Sequence, residues 1–173
     1  MDRCEECGFV YGDHGVEGIA TELGALGDRY ARRLRAGAGD PGGGERLRRR
    51  PAPEVWSALE YACHIRDVLL AQRERLFLTL VEDCPSFAPI YRDRRVDLAR
   101  YGSEDASGVA AEIEMAADLI SRAFAGLDAA SWQRRCMYNY PAPNERTVLW
   151  LAQNTLHEGE HHLLDMDSVT NRS

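Results

Sequence analysis

Apolar residues recur at helical spacing in four separate segments of the chain. Between Val16 and Arg35 they follow one another at intervals of three or four residues, which places them on one face of a helix. The residues of this face are Ile19, Leu23, Leu26, Tyr30 and Leu34. Similar patterns predict three further helices, over residues 54–82, 103–126 and 147–166. Ser103 or Asp105 is expected to cap the third helix, and Gly126 to follow its end.

The connections between the predicted helices differ in length and composition. Residues 37–44 are rich in glycine and predict a flexible loop, whereas residues 83–102 contain two prolines and show no sustained period. A loop of that length in a compact domain is often functional. This loop either lies over the mouth of a pocket or crosses the surface between two helices. In the first case it would bring Tyr91, Arg92, Arg94 and Arg95 to the pocket.

The helices and their connections together predict the fold class. No segment shows the alternation of a convincing strand, and no internal repeat is present. We therefore expect an all-α protein, a four-helix bundle with long crossover connections. The bundle is expected to span residues 16–173, preceded by an N-terminal head at residues 1–15.

Composition and charge exclude several classes of protein. The 173 residues carry a formal net charge of −7, which argues against a nucleic-acid or anionic-membrane surface. No apolar run approaches the roughly 20 residues of a membrane span, and the polar N-terminus shows no signal peptide. The five cysteines are an odd number, and a chain of this size does not need disulfides to fold. These features predict a cytoplasmic protein with neither nucleic acid nor membrane as a partner.

The last predicted helix carries the strongest chemical signal, the pair His157 and His161. Residues four apart lie one turn apart on the same helix face, with Cβ atoms about 5–6 Å apart. Two imidazoles this close can bind one metal ion. Alternatively, one histidine is buried and the other solvated, or the pair forms a surface cluster with His162.

A third histidine, His64, lies on the second predicted helix, beside its main apolar stripe. Metal sites in helical bundles are built from inward side chains on facing helices, so His64 is a candidate third ligand. The alternative is a structural or solvated histidine. Three histidines with an open position are typical of a catalytic zinc or similar divalent ion. Tyr61, Asn154 and Glu160 are candidate groups that line the pocket or support the ligands, and Glu160 is either a general base or a solvated acid.

Cys4 and Cys7 form a C-x-x-C motif followed by glycine near the N-terminus. This spacing suits a second metal site, a zinc knuckle, or a redox pair. Otherwise the two thiols form no site. A closed zinc site needs two further ligands, and the spacing does not select among the candidates, which are His14, Cys63, Cys84 and Cys136.

Two of these motifs resemble the DinB-like superfamily, which includes mycothiol-dependent maleylpyruvate isomerases. The resemblance rests on His64 in WSALEYACHIRDVL and on the segment NTLHEGEHHLLDM, and it covers roughly Gly18–Asp167. It implies a four-helix bundle in which His64, His157 and His161 bind a divalent metal, zinc or nickel, with an open position for water or substrate. Many members of the family are dimers, which implies a homodimer here. The Cys4–Cys7 head departs from the family pattern.

The resemblance implies a metal-dependent enzyme, a thiol-dependent S-transferase or isomerase that uses a low-molecular-weight thiol such as mycothiol. In such an enzyme the metal would hold the thiol as a thiolate. One alternative is a hydrolase in which a metal-bound water attacks the substrate. Another is a non-enzymatic metal or redox stress sensor that responds through Cys4 and Cys7.

Overall fold

The computed structural model describes residues 3–171 and shows four long helices joined by short helices, turns and a small sheet. In chain order the elements are α1 (Ile19–Gly39), α2 (Gly43–Arg48), α3 (Ala58–Val81), β1 (Ser86–Phe87), α4 (Arg92–Leu98), α5 (Ala106–Ala125), α6 (Ala129–Trp132), β2 (Arg135–Tyr138), β3 (Asn144–Thr147) and α7 (Val148–Asn171). Residues 1–2 and 172–173, the outer ends of the two predicted domain ranges, lie outside the described part of the chain.

The long helices α1, α3, α5 and α7 form the predicted four-helix bundle. Helices α1 and α3 each pack against both α5 and α7. The apolar face predicted for the first helix is fully buried in α1, as expected. The core therefore lies between the four helices, and α3 and α7, which carry the candidate ligands, are direct neighbours.

Two glycines allow α1 to approach its neighbours closely. A Cβ atom at Gly27 would lie 2.4 Å from the Cβ of Ala117 on α5, and one at Gly159 would lie 2.1 Å from Leu26 Cδ2. The Tyr30 hydroxyl donates a 2.8 Å hydrogen bond to the carbonyl oxygen of Gly159. The missing side chains at these two positions thus set how closely α1 packs on α5 and α7.

A capping box starts α3, the helix that carries His64. The Ser57 hydroxyl accepts a hydrogen bond from the backbone N–H of Glu60, and the Glu60 carboxylate accepts one of 2.8 Å from the Ser57 backbone N–H. Arg50 donates two further hydrogen bonds to that carboxylate. This reciprocal arrangement satisfies two N–H groups that a helix start leaves without partners.

The prediction that the chain contains no strand was wrong for a small part of it. Strand β2 pairs in parallel with β1 and antiparallel with β3, which makes a three-stranded sheet in the order β1-β2-β3. These strands have only two to four residues, too few to show a period in the sequence. The sheet lies beside the bundle and joins the long connection before α4 to the connection before α7.

Both predicted loops are partly helical. Helix α1 continues to Gly39, and α2 occupies the end of the glycine-rich stretch and buries Leu47 against α1. The connection of residues 83–102 contains β1, α4 and a 3-10 turn at Tyr101–Ser103. In both places a helix of only six or seven residues buries one or two residues, a pattern too brief to recognise from periodicity.

The N-terminal segment packs on the bundle. Arg3 and Val10 form an isolated antiparallel bridge, and a 3-10 turn follows at Tyr11–Asp13. The Gln153 side chain on α7 donates hydrogen bonds of 2.9 and 2.8 Å to the carbonyl oxygens of Tyr11 and His14. Phe9, only 8% exposed, joins the core. The predicted head is therefore attached to α7 along its length.

Within residues 3–171, none of the helices combines the length and the apolar character that crossing a membrane requires.

Candidate metal centres

Helix α7 carries two pairs of potential ligands on neighbouring faces. One pair is His157 and His161, and the other, one residue further along, is Glu158 and His162. One residue rotates an α-helix by about 100°, so the two pairs point in different directions. Helix α3 supplies the partner of one pair, and the N-terminal segment supplies the partners of the other.

His64 on α3 faces Glu158 and His162 on α7, and these three residues are called the inter-helix centre. Each offers a ligand atom that lies within 4.8 Å of the other two. Glu158 Oε2 is 4.0 Å from His64 Nε2 and 3.8 Å from His162 Nε2. These distances are too long for hydrogen bonds and leave room for an ion between the three side chains.

His64 is buried, only 1% exposed, and its ring nitrogens make no hydrogen bond to any residue of the described range. Burial, with a smaller effect of His162, lowers the pKa of His64 to about 3, so the ring is neutral. Buried polar atoms are nearly always paired, and neutral imidazole is the commonest metal ligand. The residues of the inter-helix centre therefore fit a divalent ion.

Asp165 holds the ring of His162. The Nδ1–H of His162 donates a 2.8 Å hydrogen bond to Asp165 Oδ2, so Nε2 keeps its lone pair and faces Glu158. Burial raises the pKa of Asp165, but the hydrogen bond from His162 and the nearby charges of His162, His161 and Arg92 together lower it more, so the net shift is downward. A carboxylate that accepts from the distal nitrogen of a histidine is the usual support of a metal ligand.

Two aromatic rings enclose the inter-helix centre. The ring of Trp56 lies 5.3 Å from that of His64, and the ring of Tyr61 stacks on His162 at 5.4 Å, both measured between centroids. Tyr61, a predicted pocket residue, therefore contacts a candidate ligand through its ring. These apolar faces limit the access of water to the two imidazoles from that side.

Cys4 and Cys7 meet His157 and His161 on the second face of α7, and these four residues are called the N-terminal cluster. Each offers a ligand atom within 4.8 Å of the other three. Cys4 Sγ lies 3.8 Å from His161 Nδ1. The set consists of two thiols and two imidazoles, the ligand types of a zinc site.

His157 is oriented by a short chain of hydrogen bonds. The Tyr11 hydroxyl donates to Asn154 Oδ1 at 3.1 Å and lies 3.1 Å from His157 Nδ1. Because the hydroxyl proton is directed to Asn154, its oxygen accepts from the Nδ1–H of His157. This leaves the lone pair on His157 Nε2, a buried atom without a hydrogen-bond partner in residues 3–171. Asn154, a predicted site residue, therefore supports the N-terminal cluster through Tyr11.

A tight turn presents the two thiols. The Gly8 N–H bonds to the Cys4 carbonyl at 2.9 Å, and Gly8 adopts a φ of +77°, which favours glycine. Burial raises the pKa of Cys4, but hydrogen bonds from the Cys7 backbone and from His157 and His161 lower it more, to about 6. Burial raises the pKa of Cys7. The surroundings thus favour the thiolate form at Cys4 in particular.

Two cavities meet beside the inter-helix centre. The first, about 350 Å³, is bordered by His64 and by residues of α3, α4 and the sheet. The second, about 460 Å³, is bordered by His162 and by three members of the N-terminal cluster, Cys4, His157 and His161. Glu158, Arg92 and Tyr140 line both. The first cavity also includes Tyr91 and Arg94, so the long connection does lie over a pocket, as one of the two interpretations predicted.

A family model described as the DinB superfamily matches the sequence over residues 28–166, which is most of the chain. The chain belongs to the DinB superfamily. The structure is also similar to YfiT from Bacillus subtilis, with a TM-score of 0.77 and 15% sequence identity over 91% of this chain and 86% of that one. YfiT is described as "a probable metal-dependent hydrolase with an unusual four-helix bundle topology". No curated protein matches the chain.

The DinB resemblance grouped His64, His157 and His161, and the structure divides these three residues between the two sets. His64 lies with Glu158 and His162, whereas His157 and His161 lie with the cysteines. The reason is the rotation of α7: its face toward α3 carries the pair that begins at residue 158. The neighbouring pair, about 100° away, faces the N-terminal segment.

Glu160, a candidate general base, lies on a further face of α7. Its carboxylate accepts two hydrogen bonds from Arg29 on α1, one of them 2.9 Å long. Glu160 borders neither cavity and belongs to neither set of ligands. Its observed contacts are those of an interhelical ion pair.

Sequence reasoning did not pair Glu158 and His162 with His64 as ligands, and it missed Asp165 and Tyr11 as site residues. Glu158 and His162 also stand four apart, so the spacing that drew attention to His157 and His161 holds for both pairs. Asp165 follows His162 by three residues, the spacing of side chains that can meet on one helix face. No sequence pattern marks Tyr11 as a site residue, because its contact with His157 depends on how the N-terminal segment crosses α7.

Proposed function

We propose that this DinB protein is a divalent-metal-dependent enzyme that acts on a small molecule, with the inter-helix centre as its metal site. The observation that carries the proposal is His64, a buried imidazole whose two nitrogens have no hydrogen-bond partner among residues 3–171 and which faces Glu158 and His162 at the edge of the first cavity. Three ligands leave a position open, as in catalytic sites. The expected set is therefore two histidines and a glutamate, in place of three histidines.

The chemistry of the centre follows from its ligands and their surroundings. A divalent ion held there, most simply zinc, would supply Lewis acidity and lower the pKa of a thiol or water at the open position. His162 is held in one tautomer by Asp165, so its Nε2 is ready to bind without rearrangement. Trp56 and Tyr61 keep water from the far side of the two rings. The open side then faces the cavities.

The first cavity indicates the kind of substrate. Its walls are largely apolar, with Val68, Phe87 and Ile90 among them. Arg92 and Arg94, in the first turn of α4, add positive charge at one side. An apolar molecule of modest size with an anionic group fits this combination.

Two reactions remain candidates, and a separate observation favours each. Two cavities that share Glu158, Arg92 and Tyr140 suit two substrates, as in a thiol-dependent transferase or isomerase. A ligand set of two histidines and one glutamate also occurs in hydrolases, and YfiT, the structural relative, is described as a probable hydrolase. The junction of two cavities at one centre leads us to place thiol-dependent transfer first.

Turnover of the zinc-loaded protein with and without an added thiol separates these reactions. The substrates are anionic aryl esters for hydrolysis, and an apolar electrophile with mycothiol or bacillithiol for transfer. We expect transfer that requires the thiol, and its loss in His64→Ala. His14→Gln is the matched control, because His14 contacts Glu22 and lies outside both metal-ligand sets.

Ester turnover without thiol that is lost in His64→Ala would favour the hydrolase and keep the metal centre. Turnover that is the same in His64→Ala and wild type, in either assay, would contradict the proposal.

A further inference from the structure

We infer that Cys4, Cys7, His157 and His161 form a second metal site, a closed structural zinc site that attaches the N-terminal segment to α7. This site is separate from the inter-helix centre and differs from it in ligand type and number. Two thiolates and two imidazoles complete a tetrahedral shell, so no position is left for a substrate. The N-terminal cluster would then be the structural site of the bundle, and the inter-helix centre its catalytic site.

The N-terminal turn has the form of a zinc knuckle. The Cys4 N–H bonds to the Phe9 carbonyl at 2.8 Å, and the Gly8 N–H bonds back to the Cys4 carbonyl at 2.9 Å. This folds the chain so that both sulfurs face α7. Backbone amides of Glu6 and Cys7 donate toward the Cys4 sulfur and stabilise its negative charge. A turn of this kind prepares both thiols to bind the same ion.

The two histidines are prepared by their other ring nitrogens. His157 uses Nδ1 with Tyr11, which leaves the buried, unpaired Nε2 as its ligand atom. His161 presents Nδ1 to Cys4 at 3.8 Å, while its Nε2 lies 3.4 Å from Glu6 Oε2 and 3.7 Å from Asp165 Oδ2. Both carboxylates favour a proton on that Nε2. Each ring therefore directs a lone pair to the cluster, as metal-bound histidines do.

Binding has a simple proton balance. Each histidine binds as the neutral ring through a lone pair, and each cysteine binds as a thiolate. A thiol that is protonated beforehand therefore releases its proton to solvent when Zn²⁺ binds. Two negative sulfurs neutralise the charge of the ion, so the half-buried site has no net charge.

The proposed zinc site lies beside the second cavity and would fix part of its lining. Arg3, Glu5 and Glu6 flank Cys4 or Cys7 in sequence and line the second cavity, as do Arg92 and Tyr140. Gln153 and Tyr11 already join the segment to α7 at its other end. Zinc would fix the part of the segment that carries Cys4 and Cys7 and so hold that side of the cavity in place.

Cobalt titration of the reduced, metal-free protein tests the site, because thiolate ligands give Co²⁺ a charge-transfer absorption in the near ultraviolet. We expect this absorption in wild type, in the control Cys84→Ser and in His64→Ala, and its loss in the double variant C4S/C7S. Its absence in wild type, or its persistence in a folded C4S/C7S protein, would overturn the proposal. Because His64→Ala removes only the inter-helix centre, failure of one site is distinguishable from failure of the other.

Alkylation of wild-type protein covers the case in which the double variant does not fold. With zinc bound, Cys4 and Cys7 should resist iodoacetamide and become reactive when a chelator is added, while Cys84 reacts alike in both states. Equal reactivity of Cys4 and Cys7 with and without chelator would overturn the zinc site. So would a Cys4–Cys7 disulfide in protein purified without oxidant, since it would favour the redox pair.

Discussion

The side chains of His162 and Asp165 show how a single hydrogen bond prepares a ligand. Asp165 accepts from Nδ1 of His162, and the lone pair of Nε2 is thereby directed to Glu158. The same logic applies to His157, where the Tyr11 hydroxyl takes the place of the carboxylate. In both cases a residue that is not itself a metal ligand determines which ring nitrogen of the histidine can bind the metal.

Asp165→Asn should weaken zinc binding at the inter-helix centre by about 10–100-fold, the usual effect of removing such a support. Competition with a chelator of known affinity measures it, in the C4S/C7S background so that only one site is present. Asp167→Asn is the matched control, because Asp167 pairs with Arg33. Equal affinities of the Asp165 variant and the control would contradict the role of Asp165.

Glu60 gives a pH dependence whose sign can be worked out. Burial raises its pKa, but hydrogen bonds from Arg50 and Ser57 lower it more, so the folded-state pKa lies below the ordinary value of 4.5. A depressed carboxyl pKa stabilises the fold above the ordinary value, and this stabilisation is lost as pH falls through the folded-state value.

We therefore expect the free energy of unfolding of wild type to exceed that of Glu60→Gln at neutral pH. The difference should shrink as pH falls from 4.5 downward. Urea unfolding at a series of pH values measures it. A difference that stays constant, or grows, as the solution is acidified would contradict this account of Glu60.

Which residues share a metal depends on the rotation of whole helices, and this limited what the sequence could show. Spacing predicted that His157 and His161 on α7 would join His64, whereas the pair that faces α3 in the structure is Glu158 and His162. Spacing could not select between the pairs that begin at 157 and 158, because the choice depends on which side of α7 packs against α3. Likewise, the partners of Cys4 and Cys7 come from about 150 residues away, a contact that only the fold creates.

Glycine in α1 illustrates the same limit at the level of packing. From the sequence, Gly24 and Gly27 are equal costs to a helix, each about 1 kcal/mol relative to alanine. In the structure a Cβ at Gly24 would meet its nearest atom, Ser121 Oγ, at an ordinary 3.5 Å, whereas one at Gly27 would lie 2.4 Å from Ala117 Cβ.

The two alanine variants should therefore have opposite effects. Gly24→Ala should stabilise the protein by about 0.4–1 kcal/mol, and Gly27→Ala should destabilise it by about 1–3 kcal/mol because α1 and α5 must separate. Thermal and urea unfolding of both variants measure this. Stabilisation by Gly27→Ala would show that the interface between α1 and α5 is looser than described here.

At the scale of the whole molecule, the four-helix bundle could be predicted from the sequence, whereas the sheet and the short helices beside it could not. Long amphipathic stretches were enough to predict the four helices, since each shows several turns of its period. The sheet, α2 and α4 were missed because each strand or helix is too short to show several periods, and the sheet also depends on pairing between segments about 50 residues apart. The sheet and α4 nevertheless form much of the first cavity, so the part that was hardest to predict is the part that would contact substrate.

Locating bound zinc by anomalous X-ray scattering from crystals of the zinc-loaded protein tests the central claim most directly. We predict two anomalous peaks: one bounded by His64 Nε2, Glu158 and His162 Nε2, at the junction of the two cavities, and a second at the N-terminal cluster; the first tests the central claim. A peak that joins His64 to His157 and His161, or no peak beside a fully ordered His64, would contradict the proposed catalytic centre.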